Sequence, residues 1–384
     1  MARLKDEITL PASRDKNLAF FFTCGLSLQK WDDLGMLSRE IALYNLLALH
    51  FRKIYFFTYG KKEELKFKKY LAPNIEIVCK EGKWPNLIYS LLIPFFHYRL
   101  LRQCSFLKSN QILGAWSAYF CRLIANRRGK FILRAGFTWS LFLKKENRLA
   151  YPLALLAENF LYRVCDLALI TSREDQNYLQ KKYRPSSKIK YLPNYVDTDQ
   201  FQPIPAIPKK QKNIIFVGRL HKQKNLFALI LALRNTGIAL DIIGRGKLRP
   251  KLSKYAREHK VKINFLGIVA HQKIPAILNR YNIFVLPSLY EGLPKTLLEA
   301  ASCGLACVVT DVSGNREIIS HNINGLLVDP SARALQKAIT LLFKNPALRK
   351  SFGENARAAI VQNYSLNNLA KKEIALYQNL CVKI

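Results

Sequence analysis

Acidic residues are scarce in this chain. Only 26 of its 384 residues are Asp or Glu, against 61 Lys and Arg, which leaves a formal net charge of +35. Such an excess favours anionic partners: nucleic acid, anionic lipid or a phosphorylated substrate. Paired cysteines are missing as well. Eight cysteines stand singly, Cys303 and Cys307 being the closest two, and no C-x-x-C occurs. Reduced core thiols are therefore expected, and disulfide or metal roles find little support. Long apolar runs are also absent. The longest uncharged stretch, Trp84 to Tyr98, is broken by Pro85 and Pro94 and is too short to span a bilayer. The beginning of the chain carries Lys5, Asp6 and Glu7 and then stays polar to Asn17. No signal peptide is visible there, so a cytoplasmic location is expected. There is no internal repeat and no low-complexity segment.

What is present is the composition of a globular protein: half the residues are hydrophobic and 23% are charged. The length predicts two domains. Short apolar strands alternate with loops and amphipathic helices from the first strand, Asn17 to Thr23, through a loop with Gly25 and Gly35 and a helix from Leu37, to strands at Ile54–Thr58 and Ile75–Val78. This is the opening of a doubly wound α/β sheet. Further strands are predicted at Phe131–Leu133, Asp166–Thr171 and Ile189–Tyr191. Pro203, Pro205 and Pro208 then make a stiff linker. A second α/β set follows, with strands at Ile214–Val217, Ala239–Ile243, Val261–Leu266, Ile283–Leu286, Ala306–Thr310 and Leu326–Val328.

The positive charge is uneven. Between Leu101 and Ala150 lie ten Lys or Arg residues and one acid, Glu146. Just before this block runs LIYSLLIPFFHYRLL. An apolar, aromatic segment beside a basic block suits docking on an anionic membrane surface; a core helix followed by a solvated basic face is the other reading. Asp197-Thr198-Asp199 forms a D-x-D. The acids follow a Pro-Asn turn, so a turn is preferred to a cation site.

The rest is organised around Asn282–Asp311, NIFVLPSLYEGLPKTLLEAASCGLACVVTD. It reads as strand, loop, helix and strand, with Pro294 in the first helical turn and Gly304 at its end. The helix N-terminus exposes unpaired N–H groups and favours an anion. Glu291 in the loop and Glu299 in the helix bracket it. They are either a capping and a solvated carboxylate, or partners for the hydroxyls of a ligand that also carries phosphate, such as a nucleotide sugar. Upstream, in NIIFVGRLHKQKN, Gly218 turns the chain and Arg219 and Lys224 sit at a strand's carboxyl end, where open α/β sheets bind ligands. An Arg can fork two phosphate oxygens and a Lys acts as a point charge.

The string EGLPKTLLEA, with seven residues between its glutamates, resembles the E-x7-E signature of glycosyltransferase family 4, the group 1 retaining enzymes of the GT-B fold. G-R-L…K-N, SGNREII with Gly314 and Glu317, and NGLLVDP with Gly325 extend the resemblance over the C-terminal half. The fold implied is α/β, with two Rossmann-like doubly wound parallel-sheet domains facing a cleft. The domains are an acceptor-side domain over 1–200, a nucleotide-sugar-binding domain over 201–364, and a C-terminal helix over 365–384 crossing back to the first. The resemblance implies donor-binding roles for Gly35, Gly218, Arg219, Lys224, Glu291, Gly292, Leu293, Thr296 and Glu299. Arg219, Lys224 and Glu291 are then catalytic, Arg219 and Lys224 taking the diphosphate, Glu291 the sugar hydroxyls and Glu299 the ribose hydroxyls. Thr296 and the N–H groups near Leu293 would touch phosphate or sugar. Usually two adjacent glycines occupy the Gly35 loop; this chain has one, and an ordinary turn is its alternative. No His stands at the edge of the cleft after Phe131–Leu133, which leaves Arg134 as the acceptor-side polar residue or as a surface charge.

The expected activity is retaining transfer of a sugar from a nucleotide-diphosphate sugar to a saccharide or lipid-linked acceptor, in cell-surface polysaccharide or glycolipid synthesis at the inner membrane face. Front-face displacement by the acceptor is the expected route, since no separate nucleophile stands out. The nucleotide sugar is a co-substrate, and neither a cofactor nor a metal is then required, because cationic side chains and a helix terminus hold the leaving charge. The rival readings are a non-catalytic nucleotide-sugar binding protein, an epimerase or a phosphorylase of the same fold, and charge-driven nucleic-acid binding. No specific nucleic-acid motif is present, and an anionic membrane surface is the other partner to expect.

Overall fold

The computed structural model describes residues 15–136, 138–140, 143, 151–183 and 185–382. The N-terminal Lys5, Asp6 and Glu7, and Lys144, Lys145, Glu146 and Arg148 of the basic block, lie outside the described residues.

Two parallel sheets make up the scaffold. The first holds β1 (Asn17–Phe21), β2 (Lys53–Phe57), β3 (Ile75–Val78), β4 (Cys104–Ser109), β5 (Lys130–Ala135), β6 (Leu167–Ile170) and β7 (Ile189–Tyr191), in the order β3-β2-β1-β4-β5-β6-β7. The second holds β8 (Asn213–Val217), β9 (Ala239–Ile243), β10 (Ile263–Gly267), β11 (Ile283–Leu286), β12 (Ala306–Thr310) and β13 (Leu326–Val328), in the order β10-β9-β8-β11-β12-β13. The strands read as continuous apolar runs because helices cover both faces of each sheet: Leu18 to Phe22 and Ile283 to Leu286 are buried without interruption. In each sheet the order reverses beside the first strand. The crevice beyond the carboxyl ends there is where such sheets take ligands.

Two hydrophobic cores correspond to the two sheets. Tyr195 packs in the first and Val196 in the second, so the changeover falls slightly before the boundary at 200 that the linker prolines indicate. Tyr364 still packs in the second core and Leu366 in the first. The two crossings lie side by side. The Val196 N–H donates to the Tyr364 carbonyl at 3.0 Å, and the Leu366 N–H to the Val196 carbonyl at 2.9 Å. The final helix, Leu366–Val382, buries Leu369, Ile374 and Tyr377 against the first core.

Two elements depart from the sequence reading. The Gly25–Gly35 loop contains a short helix, Leu28–Asp33, capped by Ser27, whose hydroxyl accepts from the Lys30 N–H at 3.1 Å. The larger departure is β4, which pattern reasoning leaves out. Its period is broken by Lys108, yet that side chain is fully buried. The Lys108 ammonium donates to Glu373 of the final helix, which also accepts from the Tyr377 hydroxyl. Burial pulls the Lys108 pKa down to about 8 even against the attraction of Glu373. A charged residue in a central strand is thus tolerated because its partner arrives from the far end of the chain.

Candidate functional site

A cavity of about 380 Å³ lies between the domains at the carboxyl ends of β8 and β11. The first domain contributes Gly35, Met36 and Arg39. The second contributes Gly218, Arg219, Lys224, Glu291, Thr296 and Glu299. The donor-binding residues singled out in the sequence therefore converge, with two exceptions. Gly292 and Leu293 lie outside the lining: Leu293 is buried, and its carbonyl accepts from the Asn194 side chain at 2.6 Å. The backbone of Gly292 packs against Gly314. A Cβ on Gly314 would stand 1.6 Å from the Gly292 carbonyl oxygen, so position 314 accepts only a glycine.

The loop after β8 carries the cations. Arg219 is exposed, and among the described residues its guanidinium has no hydrogen-bond or ion-pair partner. Lys224 closes a single 3-10 turn, Lys222–Lys224, and its ammonium pairs with Glu291. The point charge expected of Lys224 is thus already engaged with a carboxylate across the cavity mouth. Both side chains are largely buried, at 11% and 8% exposure, which makes this a pre-set dipole rather than a solvated pair.

The helix Lys295–Ser302 begins one residue later than the sequence indicates. Pro294 is its N-cap, with φ −74° and ψ 113°, and not its first helical residue. Its first N–H groups face outward from the helix start, as in any α-helix, and Thr296 lines the cavity there. Glu299 is fully enclosed. Its Oε1 accepts from His271 Nε2 at 3.0 Å and from Arg39 Nη1 at 3.4 Å, while its Oε2 is buried without a partner. Burial pushes the Glu299 pKa up, but the hydrogen bond and charge of His271, with Arg39, more than offset this and hold it below the usual value. An ionised carboxylate with one orphaned buried oxygen has unused capacity to accept from a hydroxyl.

Around Glu299 runs a charge network that sequence reasoning does not find. Arg39 meets Glu40 at 3.1 Å, Glu40 meets Lys295 at 2.7 Å, and the Ser38 hydroxyl lies 3.3 Å from His271 Nδ1. Ser38, Arg39 and Glu40 stand on the first domain's helix Leu37–Leu47; His271, Lys295 and Glu299 belong to the second. Burial opposes ionisation of Glu40, but Lys295 and Arg39 bring its pKa down to about 2. Lys295 sits inside the quoted motif and was within reach of the sequence. Arg39 and His271 carry no local signal, because Arg39 meets Glu299 across the cleft and His271 meets Ser38 across it and Glu299 from a separate element of its own domain. Arg245, in the turn after β9, also lines the cavity. Its signal was the G-R-G turn at a strand's carboxyl end.

Gly35 has a structural reason of its own. Its φ is +67°, and a Cβ there would lie 2.5 Å from the Val269 carbonyl oxygen of the other domain. The Gly35 carbonyl also accepts from the His271 N–H at 2.9 Å. A second tie is Glu317, just past the short helix Ser313–Arg316, which accepts from the Arg173 N–H at 2.6 Å and the Tyr191 hydroxyl at 3.2 Å.

Arg134 is neither a surface charge nor part of the cavity lining. It is buried at the end of β5, its Nη2 reaching Asn194 at 3.5 Å and its Nη1 left without a partner. Asp197 belongs to a turn: its Oδ1 accepts from the N–H groups of Asp199 and Gln200, both at 3.1 Å. Among the described residues, no three His, Cys, Asp or Glu groups are placed to hold a metal ion. All eight cysteines are free thiols.

Two parallel-sheet domains closing on a cleft of this kind define a GT-B protein. Residues 197–359 match the family described as glycosyl transferases group 1. That stretch covers most of the second domain and makes it similar to the glycosyltransferases of group 1. An uncharacterised glycosyltransferase of Methanocaldococcus jannaschii is 26% identical over 378 residues, 94% of this chain and 93% of that protein. The UDP-Gal:alpha-D-GlcNAc-diphosphoundecaprenol alpha-1,3-galactosyltransferase of Escherichia coli is 28% identical over 270 residues, 64% of this chain and 68% of the relative. Among solved structures, the sucrose-phosphate synthase of Thermosynechococcus elongatus superposes with a TM-score of 0.79 at 18% identity, covering 96% of this chain and all of that one.

Proposed function

We propose that the chain transfers a sugar from a nucleotide-diphosphate sugar, with retention of anomeric configuration, to a saccharide or lipid-linked acceptor at a cytoplasmic membrane face. The observation that carries the donor reading is the meeting of Arg219, Lys224, Glu291 and Glu299 in one interdomain cavity. As the anomeric bond breaks, negative charge grows on the leaving diphosphate. Arg219, with its guanidinium uncommitted, and Lys224 receive that charge together with the first N–H groups of the Lys295–Ser302 helix, near Thr296. Preorganised donors of this kind need no rearrangement during the reaction. Glu299 accepts ribose hydroxyls on its free oxygen. Glu291 accepts sugar hydroxyls, and donor binding draws Lys224 from Glu291 toward phosphate. Gly35 and Gly218 let backbone approach the donor from either side. No metal or cofactor has a part in this scheme: the acceptor hydroxyl attacks the anomeric carbon on the face the nucleoside diphosphate leaves, and its proton passes to the departing phosphate oxygen. Binding of a lipid-linked acceptor is supported by the Escherichia coli relative, whose name specifies a diphosphoundecaprenol acceptor.

A thermal-shift panel of nucleoside diphosphates and their sugars tests the donor. At a hundred times its dissociation constant the right ligand adds about 2.7 kcal/mol of stability. NMR of the product's anomeric carbon tests retention. Activity that requires a divalent cation, or an inverted product, would contradict the scheme. A nucleotide sugar that binds but is neither hydrolysed nor transferred would support a binding protein instead, and its conversion without an acceptor would support an epimerase.

A further inference from the structure

The first domain presents an apolar face that its own fold leaves uncovered. Three helices lie side by side on it: Asn86–Phe96, Ile112–Ile124 and Tyr151–Val164. The first packs on the second, and the second meets the third through stacked Trp116 and Phe160 rings 5.8 Å apart. Helix Asn86–Phe96 contains no charged residue and is apolar on both sides. Tyr89 and Ile93 point inward, while Leu87, Leu91 and Phe95, spaced four apart, point outward. Leu87 is 71% exposed and Phe95 61%. The third helix repeats the pattern with Leu153 at 71% and Leu156 at 67%. More than half of the large apolar side chains exposed among the described residues fall between Trp84 and Phe160. Exposed apolar side chains concentrated on three neighbouring helices mark an interaction site.

Charge specifies the partner. From Gly82 to Lys145 the sequence contains no Asp or Glu. The first helix runs toward Arg99 and Arg102, and the second ends just before Arg127 and Arg128, all four exposed. None of the four pairs with a carboxylate among the described residues. An apolar face bordered by unneutralised arginines complements a surface that is apolar below and anionic above. No described helix is long and apolar enough to cross a membrane.

We propose that this three-helix face lies on an anionic bilayer, Leu87, Leu91, Phe95, Leu153 and Leu156 entering the acyl boundary and Arg99, Arg102, Arg127 and Arg128 meeting lipid phosphates. The proposal deepens the membrane-face reading of the acceptor and draws its purpose from that reading. Its test does not depend on the donor. The whole protein, without nucleotide, is sedimented with phosphatidylcholine vesicles and with vesicles containing phosphatidylglycerol. Binding to the anionic vesicles, weakened by salt, is the expected result. Leu87→Glu with Phe95→Glu should lower that binding about ten-fold or more, and Arg127→Glu with Arg128→Glu by about ten-fold. Leu341→Glu, on an exposed position of the second domain, should change nothing. Because these positions are exposed, the variants should keep the wild-type melting temperature and nucleotide affinity, so failure of the donor reading remains separable. No preference for anionic vesicles would overturn the proposal, as would equal binding by the Leu87→Glu and Phe95→Glu variant. A dimer that this variant splits, without vesicle binding, would assign the face to a second copy of the chain instead.

Discussion

The two domains share one sheet design but place their polar chemistry differently. In the second domain, Arg219, Lys224 and Glu291 sit on loops at the carboxyl ends of adjacent strands, and each lies within a recognisable string. In the first, Lys108 is satisfied by Glu373 from the final helix, and Arg39 by Glu299 from the other domain. The difference teaches that a cavity wall of charged side chains needs only local geometry, repeated wherever a strand meets a helix. Fixing one domain against the other requires pairs that are remote in sequence.

The largest effect should come from the remote pair. Lys108→Met leaves Glu373 in the interior without its counter-charge, only the Tyr377 hydroxyl still donating to it, and should cost about 3–5 kcal/mol of stability, read as a lowered denaturant midpoint. Adding Glu373→Leu should restore most of the loss. If the single variant is as stable as wild type, the first half of the comparison breaks. On the other side, Lys224→Met should lower kcat/KM for transfer by about 10²–10³-fold while leaving the melting temperature near its wild-type value. An equal fall in both would mean that the second-domain pair is also structural.

Smaller changes sharpen the boundary between the two. Gly35→Ala forces an L side chain to a positive φ and against the Val269 carbonyl. Donor affinity should drop about ten-fold, since a left-handed residue costs roughly 1–2 kcal/mol, and small-angle scattering should report a more open molecule. The smallest effect is in acid. Glu40 is held at about 2, below the ordinary carboxylate value of 4.5. Its contribution is therefore complete above about pH 4.5 and is lost as pH falls toward 2. Glu40→Gln should weaken interdomain closure at neutral pH and flatten its acid dependence in that window, as followed by scattering.

These contrasts also explain what the sequence could tell. The second sheet was legible nearly strand for strand, because its apolar runs are short, unbroken and set off by Gly or Pro. The cavity's second-domain wall was legible through E-x7-E and the G-R-L loop. β4 was hidden because Lys108 breaks its period and the compensating Glu373 lies in the last helix. Arg134 was legible as polar but misplaced, since nothing local says that its guanidinium turns inward beside Asn194. Arg39 gives no signal until the domains are brought together, and His271 none until its element folds against Glu299. Gly35 was found, but what leaves no room for a side chain there proved to be the Val269 backbone of the opposite domain.

The most direct test of the central claim is calorimetry of nucleoside diphosphate and nucleoside monophosphate with wild type and Arg219→Ala. Arg219 is exposed and unpaired in the free protein, so its removal should leave the fold intact. Wild type should prefer the diphosphate, and Arg219→Ala should lose about 1.5–3 kcal/mol of diphosphate affinity, the strength of a charge-assisted hydrogen bond, with monophosphate affinity nearly unchanged. Undiminished diphosphate binding by Arg219→Ala would contradict the claim that this loop grips the leaving group.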